Sequence, residues 1–198
     1  MSITIKDGAT AWFTSDHHHM HKNIIEYSGR PWTFEEQTQE MINRWNNRVG
    51  VMDHAFHLGD FAFANVKKAR KVVEIIEQLN GLIHFVKGNH CDRQLWNYVR
   101  EANLAHVQFI GDYLEVRIGE SRTKVCMFHY PMEVWNGMHH GSIHLHGHCH
   151  GSLPAVGKRL DVGLDNHPDF QVFSWAEVSE HMAKQPFVVK DHHDGQRP

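Results

Sequence analysis

Residues 55–90 read AFHLGDFAFANVKKARKVVEIIEQLNGLIHFVKGNH and decide the fold. Two short apolar runs in this stretch, 55–58 and 82–86, predict strands. The residues between them, 65–79, carry apolar side chains at helical spacing, and Asn80-Gly81 follows as a stop signal. Strand, helix and strand in this order are typical of a parallel βαβ unit.

The segments on either side extend this alternation and then depart from it. In the first half we predict a strand over 9–15 and helices over 34–49 and 93–102, the former capped by Thr33 with Glu36 three residues on. The second half is richer in strands and contains a hairpin signal, Gly119-Glu120-Ser121-Arg122. There we predict strands over 113–118, 123–128, 142–145, 159–164 and 187–190, and a helix over 174–182.

An α/β half followed by a mostly β half predicts an α/β (α+β) fold in which two sheets pack together with helices outside. The sequence has no repeat, low-complexity tract or linker that would divide it. We therefore expect a single domain over residues 1–190 and a flexible C-terminal tail over 191–198.

Composition excludes several classes of protein. The chain has 198 residues and a formal net charge of −3, which leaves no strong basic field to hold duplex DNA. Three scattered cysteines argue against a disulfide framework. We find no signal peptide and no apolar run long enough to span a membrane, so we expect a cytoplasmic protein without a membrane partner. Histidine is unusually frequent, with 20 residues.

Polar residues of the same few types follow five predicted strands. Asp, Asn and His occur at each of these strand ends, often beside glycine, and ligands bind at the carboxyl ends of strands in open α/β sheets. Carboxylate and amide oxygens combined with imidazole nitrogens suit Mn²⁺, Fe²⁺, Co²⁺, Ni²⁺ or Zn²⁺. A carboxylate can ligate one ion with each oxygen, and Asp60 at the end of a central strand is the natural bridge between two ions. The five strand-end sequences are Asp16-His17-His18, Gly59-Asp60, Gly88-Asn89-His90, His129 and Gly147-His148-Cys149-His150.

This ordered series, DxH, GD, GNH, H and GHxH, resembles the motifs of the calcineurin-like metallophosphoesterases, especially the small bacterial and phage members. The resemblance extends from about residue 10 to 165. It implies a four-layer α-β-β-α sandwich of two mixed sheets and a centre of two divalent ions, for which we expect Mn²⁺ first and Fe, Ni, Co or Zn as alternatives. The implied ligands are Asp16, His18 and His150 for one ion, Asn89, His129 and His148 for the other, and Asp60 as the bridge.

The resemblance also implies a reaction. A hydroxide that bridges the ions attacks a phosphoester, and His90 acts as the general acid that protonates the leaving oxygen. We expect a phosphodiesterase whose partner is a phosphoester substrate such as a nucleotide or single-stranded nucleic acid. Two alternatives stay open: a phosphomonoesterase acting on small molecules or phosphoproteins, and a metal-binding protein without catalysis. The oligomeric state stays open as well.

Groups that hold the substrate phosphate are expected near the motifs. We identify Arg93, Arg30 and His21 as candidates; for the arginines the alternative is a surface ion pair or a helix start. One position departs from the family pattern: Cys91 stands where many relatives have an acidic residue after the GNH histidine. Either Asp92 orients His90 in its place, or another group does.

Overall fold

The structure, a computed structural model, describes residues 3–90 and 92–188, and within these ranges the chain forms ten strands and five α-helices. The strands are β1 (Ile3–Ile5), β2 (Ala11–Thr14), β3 (His54–His57), β4 (Leu82–Val86), β5 (Val107–Gly111), β6 (Tyr113–Ile118), β7 (Thr123–Phe128), β8 (Ile143–His146), β9 (Arg159–Asp161) and β10 (Phe173–Ser174). The helices are α1 (Ile24–Tyr27), α2 (Gln37–Asn46), α3 (Ala69–Ile76), α4 (Arg93–Glu101) and α5 (Trp175–Ala183).

The strands form two mixed sheets of five. The first sheet has the order β10-β2-β3-β4-β5; its strands β2 to β5 are parallel and β10 is antiparallel to β2. The second has the order β1-β6-β7-β8-β9, with one antiparallel pair, the β6–β7 hairpin. The α/β fold with two mixed sheets is thereby confirmed.

One core lies between the two sheets. Phe13 of β2 and Phe56 of β3 stack with ring centroids 5.4 Å apart and belong to the same buried cluster as Val116, Val125 and Leu145 of the second sheet. Apolar side chains that alternate along each strand produce this layer, since every second residue points to the same face. The two sheets therefore pack face to face through aliphatic and aromatic side chains.

A second core lies between the first sheet and its helices. Trp45 of α2, Ile76 of α3 and Trp96 of α4 are almost completely buried, together with Ile83 and Phe85 of β4. These helices follow β2, β3 and β4 along the chain, as right-handed βαβ connections require. Helices α2 to α4 thus cover the outer face of the first sheet.

The outer side of the second sheet is covered differently. Trp135 and Met138 pack on Cys126 of β7, and they come from a connection that includes a 3₁₀ turn over Met138–His140.

Helix α5 contributes Val178 and Met182 to the core between the sheets.

Several sequence predictions coincide with the structure and others shift. The strands 82–86, 113–118 and 123–128 have the predicted bounds, and Thr33 and Glu36 exchange the hydrogen bonds of a capping box. The predicted helix 65–79 begins as a 3₁₀ turn over Val66–Lys68 before α3. The predicted strand 159–164 ends at residue 161, where a turn begins that carries 164–166 out of the sheet.

Four elements were not predicted from the sequence. The strands β1 and β10 have three and two residues, too few to show an alternating pattern, and α1 has one turn. Strand β5 is separated from β6 by one residue and shows no turn signal before it. Of the predicted strand 187–190, residues 187 and 188 are not in a strand, while residues 189–190 and the tail 191–198 lie outside the described residues.

No α-helix within residues 3–90 and 92–188 is long and apolar enough to cross a membrane. The predicted cytoplasmic location stays a prediction.

The inter-sheet core generates the first testable prediction. Phe56→Ala deletes a fully buried ring that stacks on Phe13, so we expect the free energy of unfolding to fall by about 3–5 kcal/mol. Urea denaturation measures this loss. Val51→Ala, at a side chain that is 69% exposed, is the control and should change stability by less than about 0.5 kcal/mol. Equal effects of the two substitutions would contradict the described packing.

Candidate metal centre

The strand ends of both sheets converge at one place. Ser15, just after β2, forms a parallel bridge with Gly163, just after β9, and the Leu164 amide donates to the Ser15 carbonyl at 2.9 Å. On the second sheet, the Gly147 amide donates to the His129 carbonyl at 3.0 Å and joins the loops after β7 and β8. The Asp16 amide donates to the Gly59 carbonyl and the His90 amide to Asp60 Oδ1, so loops that carry all five motifs meet at a common edge.

Two glycines permit this close approach. A Cβ at Gly88 would overlap the Asp60 carboxylate and its amide nitrogen, and a Cβ at Gly147 would overlap the Ser15 hydroxyl and the Asp16 carboxylate. Any side chain at either position would push two motif loops apart. These glycines belong to the GNH and GHxH motifs because the site has no room for a larger residue.

The candidate ligands themselves have unusual backbone conformations. Non-glycine residues rarely adopt positive φ, and each such residue costs roughly 1–3 kcal/mol unless its surroundings enforce it. Strain of this kind concentrates at functional sites. Five of the seven candidate ligands adopt it: Asp16 (φ 57°), His18 (50°), Asp60 (53°), His148 (71°) and His150 (45°).

One group of ligand atoms centres on Asp16. Its Oδ1 lies 3.8 Å from His18 Nε2 and 4.0 Å from His150 Nε2. Both distances are below about 4.2 Å, twice a typical metal–ligand bond, so one ion can contact these atoms together. Asp16 Oδ1 and both ring nitrogens of His18 are buried and have no hydrogen-bond partner. Buried polar atoms rarely lack partners, and here they face one another.

A second group centres on His129. Its Nε2 lies 2.8 Å from Asn89 Oδ1 and 3.4 Å from Asp60 Oδ2, and His148 Nδ1 lies 2.9 Å from the same Asn89 oxygen. Asp16 also belongs here, because a carboxylate oxygen of Asp16, one of Asp60 and a ring nitrogen of His129 all lie within 4.8 Å of one another. The structure thus brings all seven candidate ligands together in two adjoining groups.

Asp60 lies between the groups. Its Oδ2 is 3.8 Å from His18 Nε2 in the first group and 3.4 Å from His129 Nε2 in the second. Its Oδ1 accepts the backbone N–H of His90 at 2.9 Å. Of the two Asp60 oxygens, Oδ2 is therefore the one that faces both groups, and it would be available to ions held by either of them.

The tautomer of His129 tests whether a cation fits. His129 Nδ1 lies 2.9 Å from the Leu58 carbonyl oxygen, which can only accept, so this nitrogen carries the proton. In the neutral ring Nε2 then presents a lone pair to two acceptor oxygens, those of Asn89 and Asp60. Lone pairs facing one another repel unless a proton or a cation lies among them. A proton on His129 Nε2 meets this need, and the same donor set fits a divalent cation in place of that proton.

The pKa values of the candidate ligands also bear on whether the site can hold a cation. Burial raises the pKa of Asp16 to about 7, since a carboxylate without exposure loses its hydration. Burial also opposes ionisation of Asp60, but the hydrogen bond and charge of His129 and the His90 N–H hold the pKa of Asp60 at about 2. Burial lowers the pKa of His18 to about 3, so its ring is neutral and able to ligate.

A residue that the sequence analysis missed, Asp165, supports His150. Its Oδ2 accepts from His150 Nδ1 at 2.8 Å, which leaves Nε2 free to face Asp16. Carboxylate–histidine pairs of this kind orient metal-ligating imidazoles. Asp165 follows β9, as the motif residues follow their strands. This position after a strand is the sequence signal from which Asp165 could have been predicted.

Arg30 corrects a sequence prediction. It is buried, and its guanidinium holds both Asp165 oxygens, at 2.8 and 3.1 Å, and the carbonyl oxygens of Asp16 and His17, at 2.8 and 2.7 Å. A contact with the Met41 sulfur occupies the remaining N–H. All five N–H groups are engaged, so Arg30 has none left for a substrate phosphate. It is a structural residue that fixes the first motif loop and Asp165.

The other candidates occupy different positions. His21 and His90 line one cavity, and each ring lies beside His18, with centroids 5.7 and 5.5 Å from it. Arg93 is exposed at the first residue of α4 and is absent from the described lining of that cavity. The structure therefore brings His21 to the site and leaves Arg93 on the surface.

His90 is oriented by contacts with residues other than Asp92. Asp92 Oδ1 accepts the Leu95 amide at 2.8 Å and so caps α4. His90 is held by its own backbone N–H on Asp60 and by edge contacts of its ring with His18 and Phe63. Cys91 lies outside the described residues.

Most other histidines near the motifs have structural partners. His17 and His57 share a hydrogen bond of 2.9 Å in the core, and the ring of His144 accepts the Met132 amide at 3.0 Å. His146 Nδ1 donates to the Gly147 carbonyl at 2.8 Å. These side chains support the strands and loops that carry the ligands.

Comparisons with known proteins agree with this fold and give no activity. No family model matches the sequence. An uncharacterized protein of Methanocaldococcus jannaschii is 42% identical over 80 residues, which are 40% of this chain and 45% of that protein. The gene 66 proteins of Mycobacterium phages D29 and L5 are 26% and 24% identical over 79% of this chain and 88% and 87% of theirs. A crystal structure of a protein of unknown function from Aquifex aeolicus superposes with a TM-score of 0.63 and 19% identity, covering 86% of this chain and 98% of that one.

The role of Asp165 is testable by calorimetry. Asp165→Asn removes the charge that orients His150, so we expect Mn²⁺ affinity to fall roughly 10- to 100-fold at one of two sites. Asp169→Asn, at an exposed residue four positions away, is the matched control and should leave both affinities unchanged. Wild-type affinity in Asp165→Asn would contradict the assignment.

Ion binding should also release protons. The hydrogen bond to Asp165 raises the pKa of His150; burial opposes a charge on His129, yet its hydrogen bond with Asp60 and the nearby carboxylates raise the pKa of His129. Since ligands bind as neutral imidazoles, affinity should weaken as pH falls through these raised values. Titrations with Mn²⁺ at about pH 6.5, in two buffers of different ionisation enthalpy, should give different heats. Equal heats in both buffers would contradict this prediction.

Proposed function

We propose that this chain is a dinuclear metal-dependent phosphohydrolase that acts on phosphodiesters. The observation that carries the proposal is the pair of adjoining ligand groups, joined by Asp60 Oδ2 and containing buried atoms that lack any other partner. Two divalent ions bound there would supply Lewis acidity at phosphoryl oxygens and a nucleophile at neutral pH. The motif series supports the same activity.

His90 supplies the acid. Its side chain is exposed beside the ligand groups, and its backbone N–H is tied to Asp60. Imidazole is the group most often used for proton transfer near neutral pH. In the proposed reaction, hydroxide from water forms the new bond to phosphorus, the bond from phosphorus to the leaving oxygen breaks, and the proton of His90 goes to that oxygen. The proton that the water gives up restores His90 through solvent.

His90 opens onto a cavity of about 660 Å³, which is the size of a small-molecule site and can hold an organic leaving group. A diester and a monoester both carry such a group, so the preference for a diester is the one taken from the sequence, and the assays below test it. A metal-binding protein without catalysis would need neither His90 nor this cavity.

Assays with two synthetic substrates test the activity. Protein loaded with Mn²⁺ should hydrolyse bis-p-nitrophenyl phosphate faster than p-nitrophenyl phosphate, and chelation with EDTA should abolish both rates. Faster hydrolysis of the monoester would favour the phosphomonoesterase alternative. Inactivity on both, with two ions bound, would contradict a phosphoesterase active on generic substrates.

Two substitutions distinguish the proposed general acid from a proposed metal ligand. His90→Ala should keep both ions and lose rate by roughly 10²–10⁴-fold, because only proton transfer is removed. Asp60→Ala should lose metal and activity together, because the oxygen shared by both groups is gone. Metal content by elemental analysis and diester hydrolysis measure the two effects. The control His140→Ala, at an exposed loop histidine, should change neither, and loss of metal in His90→Ala would refute the acid assignment.

A further inference from the structure

We propose that the cavity beside His90 is a leaving-group pocket that selects a nucleotide bearing a second phosphate, so that the preferred substrates are short phosphorylated oligonucleotides. This inference rests on the proposed function, because it takes His90 to mark the leaving side of the reaction. It assigns Phe63 to the base and Lys22 and Lys68 to the second phosphate.

The cavity wall offers an aromatic surface. Phe63 is 45% exposed, although a phenyl ring is normally buried, and its ring lies 5.4 Å from His90 and 4.4 Å from His21. These three rings line the same cavity. An exposed ring between two imidazoles at the mouth of a site is a surface on which a nucleobase can stack.

The cavity wall also offers cations. Lys22 and Lys68 line it from two different loops, and both side chains are exposed. Neither makes an ion pair with a described residue, in contrast with Lys87, which binds Asp112 at 2.7 Å. His21 adds a ring nitrogen, Nδ1, that is buried without a hydrogen-bond partner. Two lysines without anionic partners beside a cluster of carboxylates favour an anionic ligand.

The acidic residue in the cavity wall does not cancel these charges. Asp92 is the acidic residue in the described lining, and one carboxylate against two lysines leaves the wall with an excess of positive charge. Asn23 and Asn65 complete the polar part of the wall.

The chemistry balances with water as the only co-reactant. Hydroxide from water adds to the internal phosphodiester, and one nucleotide keeps the phosphate. The other departs as an alcohol after its oxygen receives the proton of His90, and the proton lost by the water restores His90. The departing nucleotide carries its base on Phe63 and its second phosphate on the lysines. Nothing in this step requires an oxidant or a further group donor.

Three diadenosine dinucleotides test the selection: one without a terminal phosphate, one with a 5′-phosphate and one with a 3′-phosphate. With Mn²⁺-loaded protein, we expect cleavage of the internal diester, followed by chromatography, to show kcat/KM about 10-fold or more higher for one phosphorylated form. Equal kcat/KM for all three would overturn the proposal while leaving the phosphodiesterase intact. No cleavage of any of them, with bis-p-nitrophenyl phosphate still hydrolysed, would also overturn it. Inactivity on every diester would instead refute the proposed function.

Matched variants locate the selection. Lys68→Ala should lower the ratio of kcat/KM with and without the terminal phosphate by roughly 10-fold. Lys67→Ala, one residue away in the same 3₁₀ turn but absent from the described cavity lining, should leave this ratio unchanged. Phe63→Leu keeps an apolar side chain but removes the aromatic face, so kcat/KM for the dinucleotides should fall about 5-fold or more, while Mn²⁺ binding stays unchanged. An unchanged ratio in Lys68→Ala, or unchanged kcat/KM in Phe63→Leu, would overturn the corresponding contact.

A binding measurement provides a readout that does not depend on turnover. Calorimetry with metal-free protein should show tighter binding of adenosine 3′,5′-bisphosphate than of adenosine, and Lys68→Ala should reduce this difference roughly 10-fold. Inorganic phosphate serves as a probe of the lysines without a base. Binding of phosphate and bisphosphate with equal affinity would show that no base is recognised.

Discussion

Two buried carboxylates, Asp16 and Asp60, are the constraint on which the rest of the structure depends. Burying negative charge is costly unless hydrogen bonds and positive charge compensate it. One oxygen of each accepts a backbone N–H from another motif loop, His148 to Asp16 and His90 to Asp60, both at 2.9 Å. The remaining oxygens face the imidazoles of His18, His129 and His150, of which burial keeps His18 neutral. A pair of divalent ions would complete this balance, and the proposed function rests on that arrangement of charge.

The loops that hold these carboxylates are strained and crowded, and the surrounding structure over-determines them. Five candidate ligands have positive φ, and Gly88 and Gly147 leave room for the Asp60 and Asp16 side chains at the crossing of loops. Below the loops, two sheets share one core, so the strand ends cannot drift apart without exposing Phe13 and Phe56. Packing of the two sheets thus stabilises the strained loop conformations, which a loop without this support would not keep.

Much of the fold and the ligand set could be predicted from the sequence because both depend on local signals. Apolar periodicity placed β4 and the β6–β7 hairpin, and the type and order of residues after the strands identified the candidate ligands that the structure brings together. Short edge strands such as β1 carry too few residues for periodicity. Arg30 was assigned to the substrate because a sequence shows its charge but not its partners. Its five N–H groups are taken by atoms from Asp16, His17, Met41 and Asp165, which are up to 135 residues away along the chain.

The sequence by itself determined the α/β class, the strand-end motifs and the chemistry of their donor atoms, since these depend on residue type and spacing. Only the tertiary structure decided which carboxylate supports His150, which oxygen of Asp60 faces both ligand groups and which lysines line the same cavity as His90. Lys67 and Lys68 are neighbours in the sequence, yet only Lys68 belongs to the described lining of the pocket. Such distinctions depend on the direction of each side chain after the sheets have packed, and direction is set by contacts between residues distant in the chain.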